Sequence, residues 1–240
     1  MPLAGEFAVR YAGLRQAYGT FTASNETRED GKASGKNITI SKELSDNDLL
    51  KLWENHLSGH QSVGIVPIDE HNNCVWGAID VDEYQLDLKD LAIKIAKQKL
   101  PLVLCRSKSG GAHIYIFLNE PVAASMLQRK LRQIAAAIGY GQAEIFPKQT
   151  QLLLERGDRG STLNMPYFGG ENSTRYAYGT DGAALTPEEF LEHTKNIELK
   201  PSELERLEAS PLTETMDWLD QAPPCIQHLV VQGFPKGSRN

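Results

Sequence analysis

The chain has 240 residues, of which 40% are hydrophobic and 23% are charged, and this length allows one large domain or two small ones. No apolar stretch approaches the ~20 residues that cross a bilayer, and the N-terminus lacks a signal-peptide pattern, so we expect no membrane partner. The formal net charge is −6, but residues 181–220 alone carry 11 acidic and 3 basic side chains, so the remainder is slightly basic and a nucleic-acid partner is not excluded.

The N-terminal part, residues 1–70, predicts a small α/β unit. Residues 22–47 are polar and aperiodic, and we expect mostly loop there. A helix follows, with Ser45 or Asp46 as its N-cap. The residues that share its apolar face are Leu49, Leu52, Trp53 and Leu57. VGIVPI (63–68) predicts a strand, and DEHNN predicts a turn into the next one.

Residues 71–180 predict a β-α-β-β-α-β unit, which is the element order of the ferredoxin-like or RRM-like fold. The fold class is thus α+β, with one antiparallel sheet in the strand order 4-1-3-2 and both helices on one face. We expect the other face to be open and to bind nucleotide or nucleic acid. Residues 181–240 predict an acidic helical extension and a linker. The elements of the unit are the strand 74–82, the helix 87–100, the strands 101–106 and 112–118, the helix 122–139 and the strand 143–147.

The three cysteines are far apart, and none belongs to a CxxC pair: Cys74, Cys105 and Cys225. This spacing favours a reducing compartment and buried thiols, and it argues against a structural zinc site.

Two aspartates lie near the end of the first core strand, in the sequence GAIDVDEY. Asp80 and Asp82 are two residues apart, so both side chains leave the strand on the face away from the helices. Carboxylates about 6–7 Å apart along a strand repel each other unless a cation lies between them. Such oxygen-rich sites suit Mg²⁺ or Mn²⁺, with substrate phosphates completing the coordination. The alternative is a solvated strand end.

A histidine begins the third core strand, directly after the turn SKSGG (107–111). If the aliphatic side chains of that strand pack on the helices, His113 faces the same side as the two aspartates. The glycines of the turn let a ligand approach the backbone, and successive N–H groups can form a nest for an anion. The residues of this candidate phosphate site are Arg106, Ser107, Lys108, Ser109, Gly110 and Gly111. A hydrogen-bonded surface histidine on an ordinary hairpin is the alternative.

The fourth core strand, in AEIFPKQ, supplies a third carboxylate. The expected strand order sets Glu144 beside the strand of the two aspartates, where it could complete a two-metal site. Lys148 and Gln149 follow the strand end and could reach phosphate or template. Further along, in STLNMPYF, the candidates for contacts to a sugar or base are Asn164 and Tyr167.

This ordered set of motifs resembles the archaeo-eukaryotic primase superfamily, the primase-polymerases, and within it the TOTE-like branch of phages and mobile elements. That family carries a DxD motif, an SxH-type motif and a hydrophobic-plus-acidic motif on an RRM-like core. Here they are DVD (80–82), SGGAH (109–113) and Glu144 in AEIFPKQ, and NMPYF follows. The second motif is longer than a strict SxH, and the third has Glu where many relatives have Asp. The resemblance runs from about residue 15 to the chain end.

The resemblance implies a nucleotidyltransferase of DNA replication that makes or extends primers on single-stranded DNA from nucleoside triphosphates. Asp80, Asp82 and Glu144 would be catalytic and would hold Mg²⁺ or Mn²⁺. The residues that would contact the incoming nucleotide are Arg106, Ser107, Lys108, Ser109, Gly111, His113, Lys148, Asn164 and Tyr167. The candidate template contacts are Arg15, Lys32 and Gln149, and a solvated loop explains Lys32 equally well.

The family also implies a cytoplasmic location in a bacterium or a phage-infected cell. The ending PPCIQHLVVQGFPKGSRN (223–240) resembles the linker that leads, in such proteins, to a helical primase C-terminal domain. We therefore expect that domain, or a helicase, as a partner in a longer protein.

Two other functions are compatible with the same core. One is another metal-dependent phosphotransferase or a nuclease. The other is a non-catalytic RRM-like binder of single strands that stacks bases on Tyr115 and Phe117. Asp80 and Asp82 disfavour the binder, because without a metal they would repel a phosphate backbone.

Overall fold

The computed structural model of the chain describes residues 2–27, 33–83 and 85–210, and for residues 22–27 and 33–37 the backbone alone. The helices are α1 (Leu3–Arg10), α2 (Asp46–Leu57), α3 (Leu88–Lys97), α4 (Ala124–Ala137), α5 (Pro187–Ile197) and α6 (Pro201–Arg206). The strands are β1 (Ala17–Thr27), β2 (Ala33–Ser41), β3 (Val63–Ile65), β4 (Asn73–Val81), β5 (Val103–Arg106), β6 (Ala112–Ala123), β7 (Glu144–Phe146), β8 (Leu163–Asn164) and β9 (Ala177–Tyr178). None of the described helices is both long and apolar enough to cross a lipid bilayer. Ser45 is the N-cap of α2, because it forms a capping box with Asp48.

The central sheet has five strands in the order β7-β4-β6-β5-β9, and all neighbouring pairs are antiparallel. Within the β-α-β-β-α-β unit, the first strand therefore lies between the third and the fourth, which is the order expected from the sequence. The short strand β9 follows the unit and adds an edge strand beside β5.

One face of this sheet packs on α3 and α4 through aliphatic side chains. Ile79, Ile114 and Ile116 are fully buried in this cluster, as the alternation along the strands predicted. Gly77 suits this packing, because a Cβ atom there would lie 2.7 Å from the backbone carbonyl oxygen of Phe146 and 2.7 Å from Leu131 Cδ1. The sheet faces assigned from the sequence are therefore confirmed for β4 and β6.

The opposite face of the sheet is covered by aromatic side chains and is not open. Trp76, Tyr115 and Phe117 point to this face and are fully buried. They pack with residues of α1, α2 and α5, namely Phe7, Tyr11, Trp53 and Phe190. The expectation of an open face is wrong because helices distant in sequence, which local periodicity cannot place, bury most of it. The same burial removes the two stacking residues that a non-catalytic RRM-like binder would need.

A second sheet has the order β2-β1-β3-β8. β3 pairs with β1 at Gly19 and Thr20, and farther out the long hairpin β1–β2 is held by pairing between its own two strands. The expectation of mostly loop over residues 22–47 is wrong for 22–27 and 33–41, which are strands. The sequence of these two strands is mostly polar and shows no sustained alternation of apolar residues, so it carries no clear strand signal.

Cys74 and Cys105 are free and buried, as expected for structural thiols, and burial raises the pKa of both. Cys225 and the expected linker lie outside the described residues. Of the expected acidic extension, α5 and α6 are described, and α5 begins with a capping box between Thr186 and Glu189.

Candidate functional site

Three predicted site residues form one row across the central sheet. Asp80 of β4 lies directly opposite His113 of β6 on one side and opposite Glu144 of β7 on the other. Residues directly opposite each other in antiparallel strands point to the same face, with Cβ atoms about 4.5–5.5 Å apart. The row continues through Cys105 of β5, which lies opposite His113 and is fully buried. The sheet thus brings together, at its centre, side chains that are far apart in the sequence.

Asp80 is the central group of this row. Its side chain is 15% exposed, and its Oδ1 lies 3.3 Å from Nε2 of His113, whose side chain is 8% exposed. That oxygen is buried and has no hydrogen bond of good geometry within the described part of the chain. A buried carboxylate oxygen without a full partner favours a cation or a strong N–H donor beside it.

The imidazole of His113 is also held from its other side. Its Nδ1 lies 3.1 Å from the hydroxyl of Tyr115, and both residues are buried. Burial, together with the neighbouring Cys105 and Asp80, raises the pKa of the Tyr115 phenol well above its usual value. The phenol therefore keeps its proton at neutral pH.

The turn after β5 packs against the end of β4. The backbone N–H of Ser107 donates to the Gly111 carbonyl at 2.9 Å, and Gly110 has a φ of 99°. A Cβ atom at Gly111 would lie 2.2 Å from the carbonyl oxygen of Val81, so this position requires glycine. The turn is consequently fixed beside the two aspartates.

Of the two serines in this turn, Ser109 is the accessible one. Ser107 is 2% exposed, and its hydroxyl lies 3.1 Å from that of Ser109. Ser109 is exposed, and its Oγ lies 3.5 Å from Oδ1 of Asp82. Ser107 thus holds the hydroxyl of Ser109 in place beside Asp82 at the end of β4.

The three candidate metal ligands share one cavity of about 370 Å³, which Asp80, Asp82 and Glu144 line together with Tyr140. Glu144 is turned towards the cation of Lys148, at 2.6 Å. Among the residues that the structure describes, no group of three or more His, Cys, Asp or Glu is arranged to hold a metal ion. The carboxylates are of the type that divalent cations prefer, but in this arrangement Glu144 is paired with Lys148.

The cations around the turn differ in their environments. Arg106 leaves β5 opposite Ala112, on the helix side of the sheet, and its Nη1 lies 3.5 Å from the Thr174 carbonyl. Lys108 is exposed and its ammonium lies over the ring of Phe21. Partial desolvation and the nearby Arg175 lower the pKa of Lys108 to about 8.

Arg175 is a further cation close to the turn. It stands two residues before Ala177, which lies opposite Cys105, and its charge acts on both Lys108 and Tyr115. Its Nη1 is buried without a hydrogen-bond partner in the described residues, and desolvation lowers the pKa of its guanidinium. The local sequence NSTRYAY contains no motif that marks this arginine. Only the pairing of β9 with β5 brings it to the site.

Other predicted site residues are placed differently. Tyr167 is 1% exposed. Its hydroxyl donates a hydrogen bond to the Leu185 carbonyl at 2.9 Å and accepts one from the Ala177 N–H at 3.1 Å. The expectation that Tyr167 contacts a nucleotide is therefore wrong, because its ring belongs to the aromatic core. Asn164 is half-buried on β8, opposite Gly64.

The candidate template contacts are engaged within the chain or lie outside the described residues. Both ends of the Gln149 amide bond to Ser161, at 2.9 and 3.1 Å. Arg15 is exposed and pairs with Asp46 at 2.6 Å. Lys32 lies outside the described residues.

Comparison with known protein families gives a match over most of the chain. The family described as "TOTE conflict system, Archaeo-Eukaryotic Primase domain" matches residues 6–203. No curated protein matches the chain. Among solved structures, the polymerase domain of ligase D from Mycobacterium tuberculosis, in complex with DNA, is similar with a TM-score of 0.37 and 17% sequence identity, over 85% of this chain and 89% of that chain.

Proposed function

Because the chain belongs to the archaeo-eukaryotic primase family of TOTE conflict systems, we propose that it is a DNA primase-polymerase that adds nucleotides to a primer on a single-stranded template. The observation that carries this proposal is the row Glu144–Asp80–His113, with an exposed serine and two cations, Lys108 and Arg175, near it. Acidic groups for a metal and basic groups for phosphates stand side by side there, as nucleotidyl transfer requires.

We assign residues 71–180 as an RRM-like catalytic core and residues 1–70 as the N-terminal α/β part of the same module. The strand order of the central sheet and the two helices on one face support the first assignment. The acidic segment after residue 180 would lead to a helicase or a helical primase domain of a longer protein. Such a protein would act in the cytoplasm of a bacterium or a phage-infected cell.

Asp80, Asp82 and Glu144 are the residues that would hold Mg²⁺ or Mn²⁺. The buried, incompletely bonded Oδ1 of Asp80 and the cavity shared by the three carboxylates support this assignment. When bound, such an ion neutralises the charge of the transferring phosphate and lowers the pKa of a coordinated hydroxyl. Lys148 would exchange its contact with Glu144 for one with a phosphate oxygen.

The triphosphate of the incoming nucleotide would lie along the turn 107–111. His113 and Ser109 would each donate a hydrogen bond to it, and Arg175 and Lys108 would supply positive charge. Nη1 of Arg175, which has no partner in the described residues, supports this role, because a buried N–H group without an acceptor is costly until an anion arrives. These residues position the phosphates and stabilise charge, which is how proteins accelerate phosphoryl transfer.

Primer extension tests the proposal. Single-stranded DNA, with and without an annealed primer, is incubated with the protein, nucleoside triphosphates and Mg²⁺ or Mn²⁺. We expect product from the parent chain and about 100-fold less or none from Asp80→Ala/Asp82→Ala. Glu120→Ala, which removes an exposed carboxylate at the far end of β6, is the matched control and should extend normally. Unchanged synthesis by the double variant would exclude the aspartates from the reaction.

A further inference from the structure

Tyr115 is the buried neighbour of the proposed nucleotide contact. It follows His113 by two residues on β6, so both side chains leave the strand on the same face. Its ring is fixed on several sides, because it stacks on Phe117 with the centroids 5.9 Å apart and meets the edge of Tyr11 at 5.5 Å. The phenol oxygen therefore has a defined position, 3.1 Å from Nδ1 of His113.

The direction of this hydrogen bond follows from the other side of the imidazole. Nε2 of His113 lies 3.3 Å from Oδ1 of Asp80. This contact is not a well-formed hydrogen bond, but a negatively charged oxygen at this distance attracts an N–H and repels the lone pair of an unprotonated ring nitrogen. In a neutral imidazole, a hydrogen on Nε2 leaves Nδ1 as an acceptor. The Tyr115 hydroxyl, whose proton is retained because burial raises the pKa of the phenol, is then the donor.

We propose that Tyr115 is a positioning residue for the transfer reaction: its hydroxyl donates to Nδ1 of His113 and so fixes the imidazole as the Nε2–H tautomer. The hydrogen bond at one ring nitrogen generally decides which nitrogen carries the proton. Here it keeps an N–H donor on the side of Asp80, where a phosphate oxygen of the incoming nucleotide would lie. The identity of that ligand rests on the proposed function, whereas the tautomer does not.

Two phenylalanine variants separate this role from a merely structural one. Tyr115→Phe removes the donor and keeps the ring in the aromatic cluster. Tyr11→Phe removes an equally buried hydroxyl from the same cluster, one that adjoins the Tyr115 phenol, and it leaves the donor to His113 in place. Thermal unfolding of both variants verifies that they are folded.

The tautomer is measured from the ¹⁵N chemical shifts of the His113 ring, and the affinity for dATP with Mg²⁺ is measured by calorimetry without DNA. We expect the Nε2–H form in the parent chain and in Tyr11→Phe. In Tyr115→Phe we expect a mixture of tautomers and about three- to tenfold weaker dATP binding, the effect of one lost hydrogen bond.

The outcomes are distinguishable from a failure of the proposed function. If the parent chain shows the Nδ1–H form, or if Tyr115→Phe keeps both the Nε2–H form and the parent affinity, the role of Tyr115 is refuted. The first of these results needs no variant to fold. If the parent chain does not bind dATP at all, the proposed function fails, and the ¹⁵N shifts alone decide the arrangement of Tyr115 and His113.

Discussion

Replacing Arg175 by methionine should stabilise the free protein and weaken its binding of nucleotide. The methionine keeps an unbranched stem beside Phe168, over whose ring the guanidinium lies at 5.0 Å, and it removes the buried Nη1 that has no partner in the described residues. A buried polar group without a partner costs about 1–3 kcal/mol. Because Arg175 is only half-buried, we expect the free energy of unfolding to rise by about 1 kcal/mol, the low end of that range.

The loss in nucleotide binding should be larger than this gain. A hydrogen bond between a charged donor and a phosphate oxygen contributes about 1.5–3 kcal/mol, which corresponds to about 10- to 100-fold in affinity. Calorimetry with dATP and Mg²⁺ measures the affinity, and urea unfolding measures the stability. Arg129→Met, at an exposed position on α4, is the matched control and should leave both quantities unchanged.

Stability is expected to rise while the affinity for dATP falls, and a general loss of packing would not produce this combination. A variant that loses stability while its dATP affinity stays at the parent value would show that Arg175 is a packing residue, and our assignment of it to the phosphate site would be refuted.

Three further changes give expected outcomes of a different kind. Lys148→Met should strengthen Mn²⁺ binding up to about fivefold in the absence of nucleotide, because it frees Glu144 from a surface ion pair of about 0–1 kcal/mol. Electron paramagnetic resonance of free Mn²⁺ measures this affinity, and weaker binding by the variant would contradict the prediction. Burial lowers the pKa of His56 to about 4 while its ring bonds the Pro166 carbonyl at 2.7 Å, so its contribution to stability is complete above pH ~6.5 and is lost as the pH falls towards 4. His56→Gln should flatten that part of the pH–stability curve, and an unchanged slope would exclude His56 as its cause. Tyr167→Phe should cost about 1–3 kcal/mol of stability for its two lost hydrogen bonds and leave dATP affinity unchanged; a parallel loss of affinity would return Tyr167 to the nucleotide site.

The sequence alone predicts those parts of the fold that depend on the periodicity of apolar residues and on the order of the strands and helices. The alternation along β6 places His113 on the face opposite to Ile114. The element order sets Asp80 between His113 and Glu144, and the register of the strands agrees. Local propensity and strand topology therefore predict the geometric centre of the site.

The sequence does not predict which residues are buried or brought to the site by contacts between distant segments. The cover over Tyr115 and Phe117 comes from Tyr11, directly after α1, and from Phe190 of α5, which are far apart in the sequence. Tyr167 looked like a stacking group, but the same aromatic cluster encloses it. Arg175 reaches the site through the pairing of the two-residue strand β9, which is too short to leave a periodic signal.

The electrostatic state of the site was also beyond the sequence. Whether Glu144 and Lys148 form an ion pair depends on the local backbone conformation, which the spacing of four residues does not fix. Whether Oδ1 of Asp80 finds a hydrogen-bond partner depends on how His113 is oriented on the neighbouring strand.

The most direct test of the central claim is the paramagnetic effect of Mn²⁺ on the ³¹P signals of bound dATP, recorded with the parent chain and with Asp80→Asn/Asp82→Asn. If these carboxylates hold the ion next to the triphosphate, relaxation of the phosphate signals will be strongly enhanced in the parent complex and will fall to the level of protein-free dATP–Mn²⁺ in the double variant. Equal enhancement in both proteins would mean that Asp80 and Asp82 do not hold the ion beside the nucleotide, and the account of this site would be wrong.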